Sequence, residues 1–292
     1  MGIYAAALTP INSDFQCNSD ELADHCLDLL SRGCSGIALF GTTGEGASFS
    51  VEERTVALQE VIAKGLDPDK IILGNGSSSL PDTVALIQAA QHLGCQTFLI
   101  APPSFYKNNS EEGVIAFYRS IIRKVSKNKL KVILYHIPQL SGVPITKKII
   151  TTLGNEFPGI FVGIKESEGN LNFTKDLIDT FPDFKVFVGK EIHIVEAVQY
   201  GAAGSICGIA NLYPELICSL YQQAREAHCP NQDQINSFSQ ALKEYQFIAA
   251  FKAIMEKRKG SKWHMLRPPL MPLNENEKIK FISMLQKIQI ES

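Results

Sequence analysis

The stretch KVILYHIPQLSGVPITKKIITTLGNEFPGIFVGIKES, residues 131–167, decides the fold. It opens on an apolar run, KVILYHIP (131–138), and closes on a second, GIFVGIKES (159–167), with a helical pattern over 146–153 that Gly154 is read as stopping. Two continuous apolar strands joined by a helix point to parallel pairing, because parallel neighbours need a crossover and are buried on both faces. The same unit repeats in both directions. Upstream, Tyr4–Ile11, Ile37–Phe40, KIILGNG (70–76) and TFLIAP (97–102) read as strands, separated by helices at 19–32, from Ser50, and near 80–93. Ser50 with Glu53 makes a capping box. A helix from Ser110 carries Val114, Phe117, Tyr118, Ile121, Ile122 and Val125 on one stripe of 3.6-residue period. Downstream, a helix near 171–180, FKVFVGK (184–190), a helix near 191–200 and GSICGIA (204–210) bring the strand count to eight. Eight βα units without a long break predict an α/β fold, a (β/α)8 TIM barrel over residues 1–212, rather than an open doubly wound sheet. Residues 213–292 read as a C-terminal helical region packed on the barrel, since no Pro-, Gly- or Ser-rich linker separates the two.

The chain has 292 residues, with 28 Lys and Arg against 30 Asp and Glu, a formal charge of −2. At 45% hydrophobic and 20% charged, it has the apolar side chains for one large core and too many for a disordered chain. The near-neutral balance argues against nucleic acid as the main partner, because neutralising phosphates needs a basic surface. No apolar run approaches the about 18 residues of a membrane span. The opening MGIYAAALTPINSDFQ matches neither a signal peptide nor a myristoylation site, Ala6 and Ala7 standing where Ser or Thr is wanted. Cys17, Cys26, Cys34, Cys95, Cys207, Cys218 and Cys229 are scattered and form no C-x-x-C pair. They read as reduced, mostly buried side chains rather than a disulfide framework or a zinc site. The expectation is a soluble, cytoplasmic protein.

In such a barrel, chemistry gathers at the C-terminal ends of the strands, and Lys165 stands out there. It ends the run Gly159-Ile-Phe-Val-Gly-Ile164, where burial would lower an amine's pKa and make it nucleophilic. The plainer alternative is a lysine snorkelling to solvent. Gly163, on the same strand face, is read as leaving room beside it. Tyr135 holds the equivalent place on the fifth strand, and a tyrosine beside a reactive amine can relay a proton; otherwise it caps the core with its hydroxyl in water. Gly41-Thr42-Thr43-Gly44 follows the second strand. Its backbone N–H groups and hydroxyls can converge on an anion, unless it is an ordinary βα turn. Gly74-Asn-Gly76 lacks the third glycine of a dinucleotide fingerprint. His136 points to the opposite face from Tyr135, beneath the helices, and the other histidines have no metal-ligand spacing, so no metal site is expected. The basic run Lys252, Lys257, Arg258, Lys259 and Lys262 reads as a solvated helix end that complements its dipole.

In this order, Leu8-Thr-Pro10, GTTGE (41–45), YHIP with SGV (135–143), GIKES-EGN (163–170) and RPPL (267–270) resemble the dihydrodipicolinate synthase / N-acetylneuraminate lyase family over essentially the whole chain. The resemblance implies a class I aldolase-type lyase in which a lysine forms a Schiff base with pyruvate or another 2-oxo acid, without cofactor or metal. On that resemblance Lys165 matches the Schiff-base lysine and Tyr135 the proton-relay tyrosine. Thr42 and Thr43 match the threonines that bind the pyruvate carboxylate, with Thr42 also in the relay. Tyr106, in PPSFYKNNSEEG, matches a tyrosine that family oligomers insert into a neighbouring subunit's site, which implies a homotetramer or homodimer. Gly189 and Ile206 match pocket-lining positions.

One departure bears on the substrate. The synthase branch carries an arginine two residues after the proline of YHIP, where it binds the carboxylate of aspartate semialdehyde; here that position is Leu140. An aliphatic side chain cannot replace a bidentate clamp, so the second substrate is expected to be an aldehyde such as a sugar-acid fragment. GTTGE and GIKES-EGN look more like the synthase branch, GKEIHI (189–194) lacks the Gly-Tyr-Asp-Glu run of the sialic acid lyases, and Phe105 replaces a tyrosine of the synthase's lysine feedback site. The alternatives are 4-hydroxy-tetrahydrodipicolinate synthase, with another cation in place of the arginine, and, from a different class, a catalytically silent barrel. A metal-dependent aldolase fits less well than either.

Overall fold

The computed structural model describes residues 1–225, 229 and 231–288, so residues 226–228, 230 and 289–292 of the expected C-terminal helical region lie outside the described residues. Eight parallel strands close on themselves in chain order: β1 (Gly2–Ala6), β2 (Gly36–Leu39), β3 (Ile71–Asn75), β4 (Thr97–Ile100), β5 (Lys131–His136), β6 (Phe161–Glu166), β7 (Lys185–Val188) and β8 (Gly204–Cys207). Alternate strand residues face two different cores. Ala6, Ala38, Ile72, Leu99, Ile133, Tyr135, Phe187 and Ile206 fill the barrel interior. Their neighbours, such as Ile37, Leu73, Phe98, Leu134, Ile164 and Val188, pack beneath the helices. Burial on both faces is why these strands read as continuous apolar runs.

The outer layer is α1 (Ser19–Ser31), α2 (Val51–Ala63), α3 (Leu80–His92), α4 (Glu111–Lys124), the short α5 (Pro138–Ser141), α6 (Lys147–Glu156), α7 (Leu171–Thr180), α8 (Ile194–Tyr200) and α9 (Pro214–Arg225). Side-chain caps start most of them; Ser50 and Glu53 form the expected capping box at α2. α9 packs on α8 and β1 and so serves as the helix of the eighth unit, beyond the 212/213 division. α10 (Gln232–Leu242), α11 (Phe247–Lys259) and α12 (Glu275–Lys287) follow. No helix among the described residues is long and apolar enough to cross a membrane, and the seven cysteines are free.

Three local expectations are corrected. β1 ends at Ala6 rather than Ile11, because past the barrel rim the Leu8 N–H turns to the Asn211 side chain, 2.9 Å away, instead of a strand neighbour. α6 runs through half-buried Gly154 to Glu156, since a glycine costs a helix only about 1 kcal/mol and the cap falls at Phe157. The basic run is not uniformly solvated. Lys252 lies in the wholly buried stretch Ile248–Met255 of α11, and Arg258 stacks 4.7 Å from the Tyr213 ring, while Lys257, Lys259 and Lys262 stay at the surface.

A buried knot joins the ends of β1 and β8 to α1. The Nε2–H of fully buried His25 donates to Asn211 Oδ1 at 2.9 Å. The Asn211 amide in turn donates to the carbonyls of Ala6 (2.7 Å) and Gly208 (2.8 Å). Trp263 meets the His25 ring edge-on at 4.8 Å and donates to Glu21 at 3.0 Å. Burial lowers the His25 pKa to about 4, so the folded imidazole is neutral, whereas the unfolded one takes up a proton near pH 6.5. Its contribution to stability is therefore complete above about pH 6.5 and is lost as the pH falls toward 4. We expect His25→Gln to flatten the acid limb of urea-melt stability by about 3 kcal/mol across that window; an unchanged slope would show that other groups set it.

Candidate active site

Strand register brings the reactive pair together. Tyr135 on β5 lies opposite Lys165 on β6, so both side chains enter the barrel at one level. Lys165 Nζ stands 3.4 Å from Tyr135 Oη and 4.5 Å from the ring centroid, and Tyr135 Oη is 3.2 Å from Thr42 Oγ1. Lys165 is only 6% exposed, and no carboxylate pairs with its amine among the described residues. The snorkelling alternative is thereby excluded. Gly163 does not open space beside the amine as expected: a Cβ there would lie 2.4 Å from the Lys185 carbonyl oxygen, so the glycine serves close packing of β6 against β7.

The threonines stand on a turn that only glycine can build. A Cβ at Gly46 would fall 1.8 Å from the Phe40 carbonyl oxygen, and one at Gly44 2.7 Å from that of Ala7. The turn closes through Gly46 N–H to Gly41 O and Glu45 N–H to Thr42 O, both 3.1 Å. Glu45, in the left-handed region at φ 55°, sends its carboxylate inward. There Oε1 accepts from Lys252 Nζ at 2.6 Å and Oε2 from the Arg267 N–H at 3.0 Å, and Lys252 also donates to the Met265 carbonyl at 2.6 Å. Burial draws the Lys252 pKa below its ordinary value, with the Glu45 carboxylate opposing. The Arg267 guanidinium lies over the Phe49 ring and pairs with Glu53, whose carboxyl it holds down at about 2.

Of the eight expected site residues, seven line one cavity of about 550 Å³: Lys165, Tyr135, Thr42, Thr43, Leu140, Gly189 and Ile206. Ile206 belongs to the barrel floor, and Leu140 is 59% exposed at the mouth. Tyr106 is not brought in. It lies in the loop before α4, 71% exposed and 5.3 Å from the ring of exposed Phe105. His136 does face the helices: its Nδ1 accepts the Ile145 N–H at 3.0 Å, and its ring lies 4.9 Å from that of Phe173. It also falls near Glu166 and Glu168. With Nδ1 accepting, Nε2 carries the proton toward Glu168, and Glu166 accepts from Gly169 N–H and the Thr174 hydroxyl. Their ligand atoms lie within 4.8 Å of one another, and each side chain already holds a hydrogen bond.

Two further sets of lining residues escaped the sequence reading. Ser167, buried beside Lys165, has a hydroxyl without a hydrogen-bond partner among the described residues. Its spacing of two from Lys165, one residue past the end of β6, is the signal that could have found it. Phe247, Phe251 and Leu242 come from the C-terminal helices, which nothing local in the sequence ties to strand ends.

The dihydrodipicolinate synthetase family model matches residues 1–288. An uncharacterised DapA-like lyase of Chloroflexus aurantiacus is 33% identical over 279 residues, covering 94% of this chain and 93% of its own. The crystal structure of dihydrodipicolinate synthase from Agrobacterium tumefaciens is similar at a TM-score of 0.88 and 28% identity, with 99% of both chains covered. A variant of 2-keto-3-deoxygluconate aldolase from Sulfolobus solfataricus shares the fold at a TM-score of 0.89 and 22% identity, over 99% of this chain and 96% of its own.

The Gly189 position has a measurable role. A Cβ there would lie 2.0 Å from Ser167 Oγ and 2.9 Å from its Cβ, so Gly189→Ala must push Ser167 off its place in the cavity wall. We expect a loss of about 1–3 kcal/mol in denaturant melts, with Gly189→Ala/Ser167→Gly recovering most of it. No recovery would mean that the clash lies elsewhere.

Proposed function

The chain belongs to the dihydrodipicolinate synthetase family, and from that premise we propose that Lys165 forms a Schiff base with pyruvate and that the resulting enamine adds to an aldehyde. As a member of the family it is a lyase of the class I aldolase type. The observation that carries the assignment is the chain Lys165–Tyr135–Thr42, an amine with two hydroxyls in sequence at 3.4 and 3.2 Å.

The Lys165 amine adds to C2 of pyruvate, and the carbinolamine loses water to give an iminium, with no metal or bound cofactor taking part. Tyr135, adjoining Nζ, delivers the proton that the departing hydroxyl needs, and Thr42 relays it. The iminium accepts the electron pair left when a methyl proton departs. The enamine carbon then bonds to the aldehyde carbon, whose oxygen takes up a proton. Water hydrolyses the new iminium, releasing a 4-hydroxy-2-oxo acid and the free lysine. Run backwards, the same steps cleave the carbon–carbon bond. Thr42 and Thr43 hold the pyruvate carboxylate and so set the face from which the enamine attacks. Gly189 and Ile206 shape the pocket, and Leu140 borders the aldehyde side, where a sugar-acid fragment is the partner suggested by the leucine.

A second reading, 4-hydroxy-tetrahydrodipicolinate synthase, draws on Lys190 and Lys243, cations that line the same cavity and could take the place of the missing arginine. Tyr106 has no role within its own protomer on either reading. Its exposure, beside exposed Phe105, fits insertion into a neighbouring protomer of a homodimer or homotetramer. The free cysteines accord with a cytoplasmic setting.

Incubation with pyruvate, borohydride reduction and peptide mapping should find an adduct on Lys165, absent in Lys165→Ala; no adduct in the parent protein would end the enzymatic reading. Tyr135→Phe should slow turnover about 10²–10⁴-fold while pyruvate saturation changes little, and equal losses in both would remove the relay. Consumption of pyruvate with aspartate semialdehyde, against pyruvate release from N-acetylneuraminate or 2-keto-3-deoxy sugar acids, separates the branches. Sedimentation should give a dimer or tetramer, and a monomer would withdraw Tyr106 from the site.

A further inference from the structure

The buried ion pair between Glu45 and Lys252 joins the threonine turn to a helix more than 200 residues away, and the Schiff-base chain above does not use it. A buried pair of this kind costs desolvation on both sides and is poor value for stability alone. Where it stands is informative. Glu45 is two residues from Thr43 and donates its own N–H to the Thr42 carbonyl at 3.1 Å. Both carboxylate oxygens are engaged by the C-terminal region, one by Lys252 and the other by the Arg267 N–H. One residue before Lys252, Phe251 lines the cavity. A Cβ built on Gly208 would lie 2.7 Å from Phe251 and 3.6 Å from the Thr43 methyl, so both side chains crowd the same small space. α11 thus braces the turn from two sides, by charge beneath it and by an aromatic ring beside it.

We propose that Glu45 and Lys252 are positioning residues for the carboxylate-binding turn: the pair holds Thr42 and Thr43 where they grip the carboxylate of the 2-oxo acid, making the C-terminal helices a working part of the active site. The proposal rests on the reading that Lys165 forms a Schiff base with pyruvate. Neither residue touches substrate. Their effect is on the fixed geometry of the hydroxyls and N–H groups, which discriminates a 2-oxo acid from a plain ketone. Lys165 itself stands on β6 and is held by its register with β5, so the place of its amine is independent of the pair, and any loss through the part Thr42 plays in the relay slows pyruvate and acetone alike.

That independence supplies the test. Borohydride trapping on Lys165 is compared for pyruvate and for acetone, a ketone without a carboxylate, in the full-length protein, Lys252→Met and the Glu45→Gln/Lys252→Met double variant, each confirmed folded by circular dichroism. The double variant removes both buried charges, leaves the amide oxygen to accept the Arg267 N–H, and keeps the test alive should Lys252→Met not fold. In whichever variants fold, half-saturating pyruvate should rise about tenfold or more, while half-saturating acetone stays within about twofold of the parent protein, whatever common slowing the relay suffers. Lys252→Arg, which retains the cation, should restore part of the pyruvate preference. Unchanged pyruvate saturation in a folded variant, or equal losses for pyruvate and acetone, would overturn the positioning role. Absence of any pyruvate adduct in the parent protein would instead overturn the Schiff-base reading beneath it.

Discussion

Closure of the barrel between its first and last strands is the constraint on which the rest depends. At that seam Gly2 lies opposite Gly204, and the backbones approach so closely that a Cβ on Gly204 would fall 2.0 Å from the Gly2 carbonyl oxygen. Both glycines take positive φ, 134° and 142°, which L side chains rarely adopt. Once the seam is made, no strand edge remains open and every strand is buried on both faces. Inward and outward residues then alternate with no freedom of register, because a slip of one residue would exchange the two cores. Tyr135 and Lys165 meet inside the barrel as a consequence of that closure.

The C-terminal helices solve a problem that the barrel leaves. A βα turn of glycines and threonines has little side-chain bulk to hold it still. Glu45 compensates by anchoring in a fully buried cation, and Arg267 links the same turn to Glu53 and Phe15. Polar anchors hold this corner alongside the Phe251 ring, and the buried ones are hydrogen-bonded, as buried charge requires. The mouth of the cavity is built differently, from exposed Leu140 and Ile192, with Lys190 and Lys243 also in the lining.

Much of the site was legible in one dimension, and particular residues say why. Lys165 and Tyr135 are out of character at the ends of apolar runs, so local pattern exposes them. The glycine–threonine turn announces itself by composition. Lys252 is hard to read because, five to ten residues from four other cations, it looks like one more surface lysine. Its burial depends on Glu45, and no periodicity within α11 marks it, since the helix is buried over a continuous stretch rather than on one stripe. Gly163 was misread because its strand neighbour β7, not the site, claims its space.

The eight-fold alternation, the closed parallel barrel it implies and a lysine at the end of an apolar strand can all be read along the chain, because each follows from residues close together in it. Folding alone leaves the Ser167 hydroxyl without a partner among the described residues, brings Phe251 and Thr43 together around Gly208, and makes Lys252 the counterion of Glu45. Those relations join residues far apart in the chain, and they come into existence only when closure brings strand ends and C-terminal helices to the same few ångströms of space.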